Sequence, residues 1–279
     1  MRTAESTFPG ANGVTLHTVV WSPDTQDHSE PLADIVLIHG LGEHSGRYRP
    51  VAEVLTSAGF QVSALDLRGH GRTTGGTRGT VDNFDLMVDD AARFVAAVRS
   101  DRPLFLYGHS MGGLVTMRLA ERSQDGIRGI VLTSPALVPA ESIPKILVKL
   151  ANIVGKVAPK LPTIALEGEA ISRVQSVRDD YDNDPLNYRG KLTAGTGRQI
   201  NLAMAKALSE AAKVTAPLLI LHGDADRLAS IEGSRRLSKA VSCSDCTLQE
   251  WPGAFHELHH EPERAEVLAT ITDWLRHHL

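Results

Sequence analysis

The chain lacks most of the features that would set it apart from ordinary globular proteins. Its 279 residues include only two cysteines, Cys243 and Cys246, so no disulfide framework supports the fold. Residues 1–13 are polar and carry no apolar run, so a secretory leader of the usual kind is not expected. No segment approaches the ~18 uninterrupted apolar residues that suggest a membrane-spanning helix. A formal net charge of −4 leaves no basic excess, and binding to nucleic acid is not expected. Internal repeats and low-complexity tracts are absent as well. The expectation is a soluble cytoplasmic protein, with peripheral attachment to a membrane still open to it.

What is present is ordinary in bulk and specific in detail. A hydrophobic content of 42% and a charged content of 22% suit a globular chain long enough for one filled core plus an insertion. Val14–Trp21, Ile35–His39, Gln61–Leu65, Leu104–Tyr107 and Gly129–Thr133 read as strands, rich in β-branched residues and bounded by turn formers. Between them, Tyr48–Ala58, Phe84–Arg99 and Met111–Arg122 read as helices. The second carries an apolar stripe of Phe84, Met87, Val88, Ala91, Phe94, Val95 and Val98. Such alternation predicts an α/β fold, a mostly parallel sheet flanked by helices. It stops near Leu137 and resumes at Pro217, with Leu218–His222 and Thr247–Trp251 as strands and Pro262–Leu279 as a closing helix. Residues 1–136 and 214–279 are therefore read as the core. Residues 137–213 are read as an insertion over the C-terminal edge of the sheet, where open α/β sheets bind ligands.

The most informative segment is Leu104-Phe105-Leu106-Tyr107-Gly108-His109-Ser110-Met111-Gly112-Gly113: a strand, then Gly-x-Ser-x-Gly, then a helix. A serine on a sharp strand-to-helix turn projects its hydroxyl above the sheet edge, and the helix behind it aims backbone N–H groups at any oxyanion formed there. Ser110 is the expected nucleophile. A hydroxyl attacks well only when a base takes its proton, and in this arrangement an acid and then a histidine follow the serine in chain order. Asp224 and Asp226 follow the strand ending at His222, and either can orient an imidazole. Asp226 is favoured because it lies further along the loop. Of the downstream histidines, His256 lies in the loop after Trp251, where a base belongs, whereas His277 and His278 end a terminal helix and are expected to be solvated. The oxyanion needs two donors. Met111 supplies one, and the turn His39-Gly40-Leu41-Gly42 supplies the other through the Leu41 N–H. Asp66 and Arg68 are read as a structural pair, and His70 as a poor base because it precedes the nucleophile.

These residues together resemble the monoacylglycerol lipase family of α/β-hydrolases. The resemblance rests on residues 39–48 (HGLGEHSGRY), 66–71 (DLRGHG), 108–113 (GHSMGG), 221–227 (LHGDADR) and 255–259 (FHELH). It implies an α/β-hydrolase fold with a helical cap, a Ser110–Asp226–His256 triad, and oxyanion donors at Leu41 and Met111, settling Asp226 over Asp224. It also implies that Glu43, Arg47 and His259 line the polar end that holds glycerol, whereas the residues alone allow Glu43 and Arg47 a local salt bridge at a helix start. One departure is Arg72-Thr73-Thr74, where the family usually has a serine. Little consequence is expected, since Thr73 keeps a hydroxyl.

From Ser142 to Leu166 there is no acidic residue. Ile143, Ile146, Leu147, Leu150, Ile153, Val154 and Val157 recur at helical spacing, with Lys145, Lys149, Lys156 and Lys160 on another face. Such a helix fits peripheral contact with a membrane surface; the alternative is a cap helix whose stripe packs on the body. Cys243 and Cys246 read as two unremarkable thiols. The resulting expectation is a carboxylic ester hydrolase that cleaves monoacylglycerol to fatty acid and glycerol, with no metal or organic cofactor. A broader carboxylesterase or lysophospholipase on the same triad is the runner-up. A hydrolase-derived binding protein without turnover is the rival from another class, and the intact triad argues against it.

Overall fold

Three central strands, over residues 33–38, 104–109 and 218–223, are buried along their whole length and mostly apolar, as covering on both faces requires. A computed structural model describes residues 1–24, 30–140, 143, 145–165 and 168–279. In chain order its elements are β1 (Arg2–Pro9), β2 (Thr15–Ser22), β3 (Ala33–Ile38), α1 (Arg49–Ser57), β4 (Phe60–Leu65), α2 (Phe84–Val98), β5 (Leu104–His109), α3 (Met111–Ala120) and β6 (Ile127–Thr133). There follow α4 (Lys145–Val157), β7 (Pro162–Ala165), α5 (Gln175–Asn183), β8 (Lys191–Thr193), α6 (Ala194–Glu210), β9 (Leu218–Gly223), α7 (Ile231–Ala240), β10 (Cys246–Trp251) and α8 (Arg264–His277). Eight strands form one sheet in the order β1-β2-β4-β3-β5-β6-β9-β10. The β1–β2 and β2–β4 pairs are antiparallel and the rest parallel.

The two-residue period of the strands divides the core. Val36, Ile38, Leu104, Leu106, Leu218 and Ile220 face α2, α3 and α6. Ile35, Leu37, Phe105, Tyr107, Leu219 and Leu221 face α1 and α8. Two elements escape the sequence pattern. The edge strand β1 is exposed along nearly its whole length and has no apolar alternation. In α7 only Gly233, Ser234 and Leu237 are buried, too few for a visible stripe.

The loop after β4 corrects one expectation. Asp66 does not pair with Arg68. Its Oδ1 accepts from Ser45 N (2.8 Å) and Ser45 Oγ (2.6 Å), and its Oδ2 from Arg72 N (2.8 Å). Arg68 instead donates from Nε (2.8 Å) and Nη2 (2.5 Å) to Oδ2 of Asp90, a buried carboxylate on α2. Thr73 uses its hydroxyl in both directions, donating to Asp66 O (2.6 Å) and accepting from His17 N (3.0 Å). At the C-terminus His277 is exposed, but His278 is bonded to Trp274 O (2.7 Å) and Asp245 Oδ2 (2.9 Å) rather than left to solvent.

Between β6 and β9 the described strands, β7 and β8, form a small separate antiparallel pair. Helix α6 packs on the body, with Ile200, Ala203, Met204 and Ala207 in the core. Helix α4 runs through Gly155, whose buried position against Ala194 O and Arg198 Cβ seats it on α6. Four residues of its apolar stripe face outward: Ile146, Leu150, Ile153 and Val157 are 45–80% exposed, while Ile143 and Val154 are half-buried. Lys156 and Lys160 are exposed too, while Ser142, Leu166 and the side chains of Lys145, Leu147 and Lys149 lie outside the described residues. No helix among the described residues is long and apolar enough to cross a membrane.

Candidate active site

Ser110 joins β5 to α3 at φ 53°, ψ −120°, a backbone region that non-glycine residues rarely occupy. Neighbouring strands hold it there: Ser110 N donates to Thr133 O (3.0 Å), and Ser110 O accepts from Ala136 N (3.0 Å) and Leu114 N (3.1 Å). Gly112 is required by close approach, since a Cβ there would meet the Ile38 and His39 carbonyl oxygens. The turn after β3 lies directly on the serine. A Cβ at Gly40 would stand 2.8 Å from Glu43 Oε1 and 3.1 Å from the Ser110 Cβ. Among the described residues no protein acceptor pairs with the N–H of Leu41 or of Met111. The latter is a first-turn donor of α3, where the helix leaves its N–H groups open.

His256 and Asp226 meet across the loops after β10 and β9. His256 Nδ1 lies 2.7 Å from Asp226 Oδ2, and Asp226 Oδ1 accepts from Leu228 N (2.7 Å) and Ala229 N (3.0 Å). Burial opposes charge on both side chains, but their mutual attraction outweighs it, holding the Asp226 carboxyl below the usual range and raising the His256 imidazole. An ionised carboxylate only accepts, so the Nδ1 proton points at Asp226 and the Nε2 lone pair is left for a hydroxyl. Asp224 does not reach the imidazole. It is exposed, and its Oδ1 accepts from Gly253 N (2.6 Å) as a turn residue.

Two supports were not visible in the sequence. Ser134, itself at φ 45°, donates from Oγ to His256 O (2.7 Å) and fixes the histidine loop. Buried His222 places Nε2 3.1 Å from Asp226 Oδ2. Ser134 is a small residue whose partner lies 122 positions away, and His222, though only four residues from Asp226, carries no local mark of this role.

Glu43 and Arg47 are satisfied within the protein. Glu43 Oε1 accepts from Gly40 N (2.6 Å) and Tyr48 Oη (2.7 Å), while Oε2 accepts from Arg47 Nη1 (2.8 Å). Arg47 also clasps Glu257 through Nη1 (2.5 Å) and Nη2 (2.8 Å). Burial resists charge on Glu43, but Arg47 and its hydrogen-bond donors hold its carboxyl below the ordinary range. These two residues thus form a local salt bridge extended by Glu257. His259 differs. It is buried, stacked on Tyr48 at 4.9 Å and edge-on to His109 at 4.9 Å, with neither ring nitrogen bonded. Burial, then the nearby His260 and His109 rings, hold it far below the usual histidine range, so it is neutral.

Glu257, His259 and His260 are the one described trio whose ligand atoms lie close enough, within 4.8 Å of one another, to suggest a metal. Both Glu257 oxygens are taken by Arg47, whose positive charge opposes a cation there. The trio suits a neutral polar group better.

Comparison with known proteins gives a consistent result. A family model described as serine aminopeptidase, S33, matches residues 29–263. The chain is 38% identical over 280 residues to a monoacylglycerol lipase of Mycolicibacterium smegmatis, covering 99% of this chain and 98% of that one. It is 35% identical to a monoglyceride lipase of Homo sapiens, covering 95% and 88% of the two chains. The crystal structure of a monoacylglycerol lipase from Paleococcus ferrophilus superposes with a TM-score of 0.84 at 34% identity, over 95% of this chain and 99% of that one.

The arginine between two buried glutamates makes a stability prediction. Arg47→Met leaves Glu43 and Glu257 buried without their cation, a loss of about 3–5 kcal/mol by analogy with other broken buried pairs. Burial then raises the folded pKa of Glu43 above its unfolded value, so stability is lost as pH rises between the two. Thermal unfolding of wild type and variant should therefore show a deficit larger at pH 8 than at pH 5. Equal deficits would mean that removing Arg47 does not change the protonation of Glu43 between these pH values.

Proposed function

Because the chain belongs to the monoacylglycerol lipase family of α/β-hydrolases, we propose that it is a serine esterase that cleaves monoacylglycerols through Ser110, Asp226 and His256. Two observations support this reading together: a strained Ser110 on the turn from β5 to α3, and a His256 oriented by Asp226 at 2.7 Å.

Ser110 Oγ attacks the ester carbonyl carbon while His256 Nε2 takes its proton, and Asp226 stabilises the imidazolium. The carbonyl oxygen becomes an oxyanion held by the Leu41 and Met111 N–H groups, each worth about 2.7–4 kcal/mol by the usual loss on removal. As the tetrahedral species collapses, His256 returns the proton to the departing glycerol oxygen. Water, deprotonated by His256, then attacks the acyl-enzyme and releases the fatty acid. At the glycerol end, His259 keeps both ring nitrogens and His260 its Nε2 without a protein partner among the described residues, and we assign His259 to a glycerol hydroxyl. Glu43 and Arg47 act behind it, by fixing the turn that carries Leu41.

A peptidase selecting a free N-terminus needs a buried carboxylate for the substrate ammonium. The carboxylates nearest the site, Glu43 and Glu257, are both spent on Arg47, which favours an ester with a neutral, hydroxylated head. Burst kinetics and a substrate panel test the assignment. Monoacylglycerol should be cleaved faster than diacylglycerol, lysophospholipid or an aminoacyl amide, with Ser110→Ala reducing kcat by several orders of magnitude. A faster rate on lysophospholipid removes the monoacylglycerol assignment.

The acid limb of the pH–rate profile gives a separate check. His256 works as the neutral base, so kcat/KM should rise with pH through an apparent pKa above the ordinary histidine value of about 6.5. In Asp226→Asn burial acts on the imidazole without its counter-charge, so the limb moves below that value while kcat falls about 10⁴-fold. A limb that stays in place excludes His256 as the titrating base.

We also propose that the segment 137–213 is a cap through which the enzyme meets a lipid surface. Support comes from the exposed row Ile146, Leu150, Ile153 and Val157, continued by exposed Leu161 and Ile164, beside exposed Lys156 and Lys160 and without an acidic residue. An apolar row flanked by cations suits an anionic bilayer interface. Each lysine contributes about 1 kcal/mol near such a surface. Lys156→Glu/Lys160→Glu should therefore lower partition onto phosphatidylserine vesicles by about tenfold or more, leaving hydrolysis of a soluble acetate ester unchanged. Unaltered vesicle binding overturns the membrane contact.

A further inference from the structure

The turn that carries Leu41 is gripped from both sides. On its N-terminal side Glu43 Oε1 holds Gly40 N at 2.6 Å, a bond within the core. On its C-terminal side Asp66 holds Ser45 from the core, while the grips on Gly42 and on the His44 side chain come from the inserted segment, at α5 and just beyond it. Tyr188 N donates to Gly42 O at 2.8 Å, and Tyr181 Oη approaches the same oxygen at 3.4 Å. His44 Nε2 lies 2.8 Å from Asp184 Oδ2. His44 Nδ1 accepts from Gly46 N (3.1 Å), so the imidazole carries its proton on Nε2 and donates it to Asp184. Arg47 adds a cation–π contact, its guanidinium carbon 4.9 Å from the Tyr181 ring centroid.

The gripping turn is itself rigid. Asp184 Oδ1 accepts from Leu186 N (2.8 Å), Asp184 O from Asn187 N (3.2 Å), and the buried Asn187 side chain donates to Tyr181 O (3.0 Å). The chain at Gly42 needs this help, because its φ of 78° lies in the left-handed region where a glycine is free to leave. Leu41 thus sits between one peptide tied to the core and another tied to the insertion. A donor that must meet an oxyanion within a few tenths of an ångström loses its worth when either tie is cut.

We propose that Asp184, acting through His44, is a positioning residue for the oxyanion donor at Leu41, so that the seating of the inserted segment on the turn sets the rate of the chemical step. This rests on the reading of Ser110 and Leu41 given above. A segment that only admits lipid would change substrate capture. One that places an oxyanion donor changes kcat even for an ester too small to need a lid.

The experiment uses the full-length enzyme with p-nitrophenyl acetate as substrate and a short-chain trifluoromethyl ketone as inhibitor. The ketone accepts Ser110 Oγ at its carbonyl carbon. The carbonyl electron pair moves onto oxygen, and the serine proton passes to His256, giving an oxyanion in the same place. Asp184→Ala and His44→Gln should each lower kcat about tenfold, short of the 10²–10³ seen when such a donor is removed outright. KM should stay within about twofold, and the inhibitor Ki should rise by the factor lost in kcat/KM. The double variant should be no worse than either single one, as for two members of one hydrogen bond. Unchanged kcat on the acetate, an unchanged Ki, or additive losses overturns the proposal. Two independent single variants guard against one that fails to fold, with circular dichroism melting as the check. Ser110→Ala separates the two levels: if it keeps wild-type activity the serine-hydrolase reading itself falls, whereas an inactive Ser110→Ala with unaffected Asp184→Ala refutes only the positioning role.

Discussion

Ser110 is held at a positive φ that a non-glycine residue adopts at a cost of about 1–3 kcal/mol. Much of the surrounding architecture serves to keep it there. The carbonyl ends of β3 press so closely on α3 that Gly112 admits no side chain. Thr133 on β6 and Ala136 beyond it tie down both sides of the serine peptide unit. A strained turn relaxes if a single neighbour gives way, and here the neighbours are central strands buried on both faces. The position is therefore set by the most rigid part of the molecule, and the reacting hydroxyl inherits that precision.

Around this point four imidazoles crowd together, with ring centroids of His109, His256, His259 and His260 4.5–4.9 Å apart along the chain of contacts. Packed so closely, they cannot all accept a proton. Burial sets the default, pushing all of them toward the neutral form, and His109 and His259 lie well below the ordinary range. Only His256 is raised, because it alone has the Asp226 carboxylate against its ring. In the proposed mechanism, one carboxylate thus designates which imidazole carries the charge when the serine proton moves. The others stay neutral and add no repulsion.

The parts of this arrangement that were legible in the sequence are those with short-range signatures. Gly108-His109-Ser110-Met111-Gly112 joins a strand to a helix, and its chemistry is written in five adjacent residues. The apolar runs at β3, β5 and β9 announce strands buried on both faces. The edge strand β1 and helix α7 were not legible, because an element with little buried apolar surface leaves no periodicity. Glu257 was missed for a different reason: its partner Arg47 is 210 residues away, and a charge next to a candidate base says nothing about what neutralises it. The same distance problem misdirected the pairing of Asp66 with Arg68. Nearness in sequence suggested a bond, whereas Arg68 turns to Asp90 on α2 and leaves Asp66 to anchor Ser45 and Arg72.

Those long-range contacts divide the work of the fold. The proposed nucleophile, base and acid follow β5, β10 and β9, so sheet register sets their first approach, while Ser134 and Ile171 fix the His256 loop. A great many enzymes can share that register without sharing a substrate. The turn carrying Leu41 belongs to both halves: Asp66 and Glu43 hold it from the core, Asp184 and Tyr188 from the inserted segment. A turn with two owners cannot be placed by either alone. On the proposed reading, change in the outer part of the insertion reaches the oxyanion through His44 and Gly42. In such a design the proposed lipid-facing segment and the proposed oxyanion donor are not independent. Selection for a new acyl or head group has to keep the grip on this turn intact.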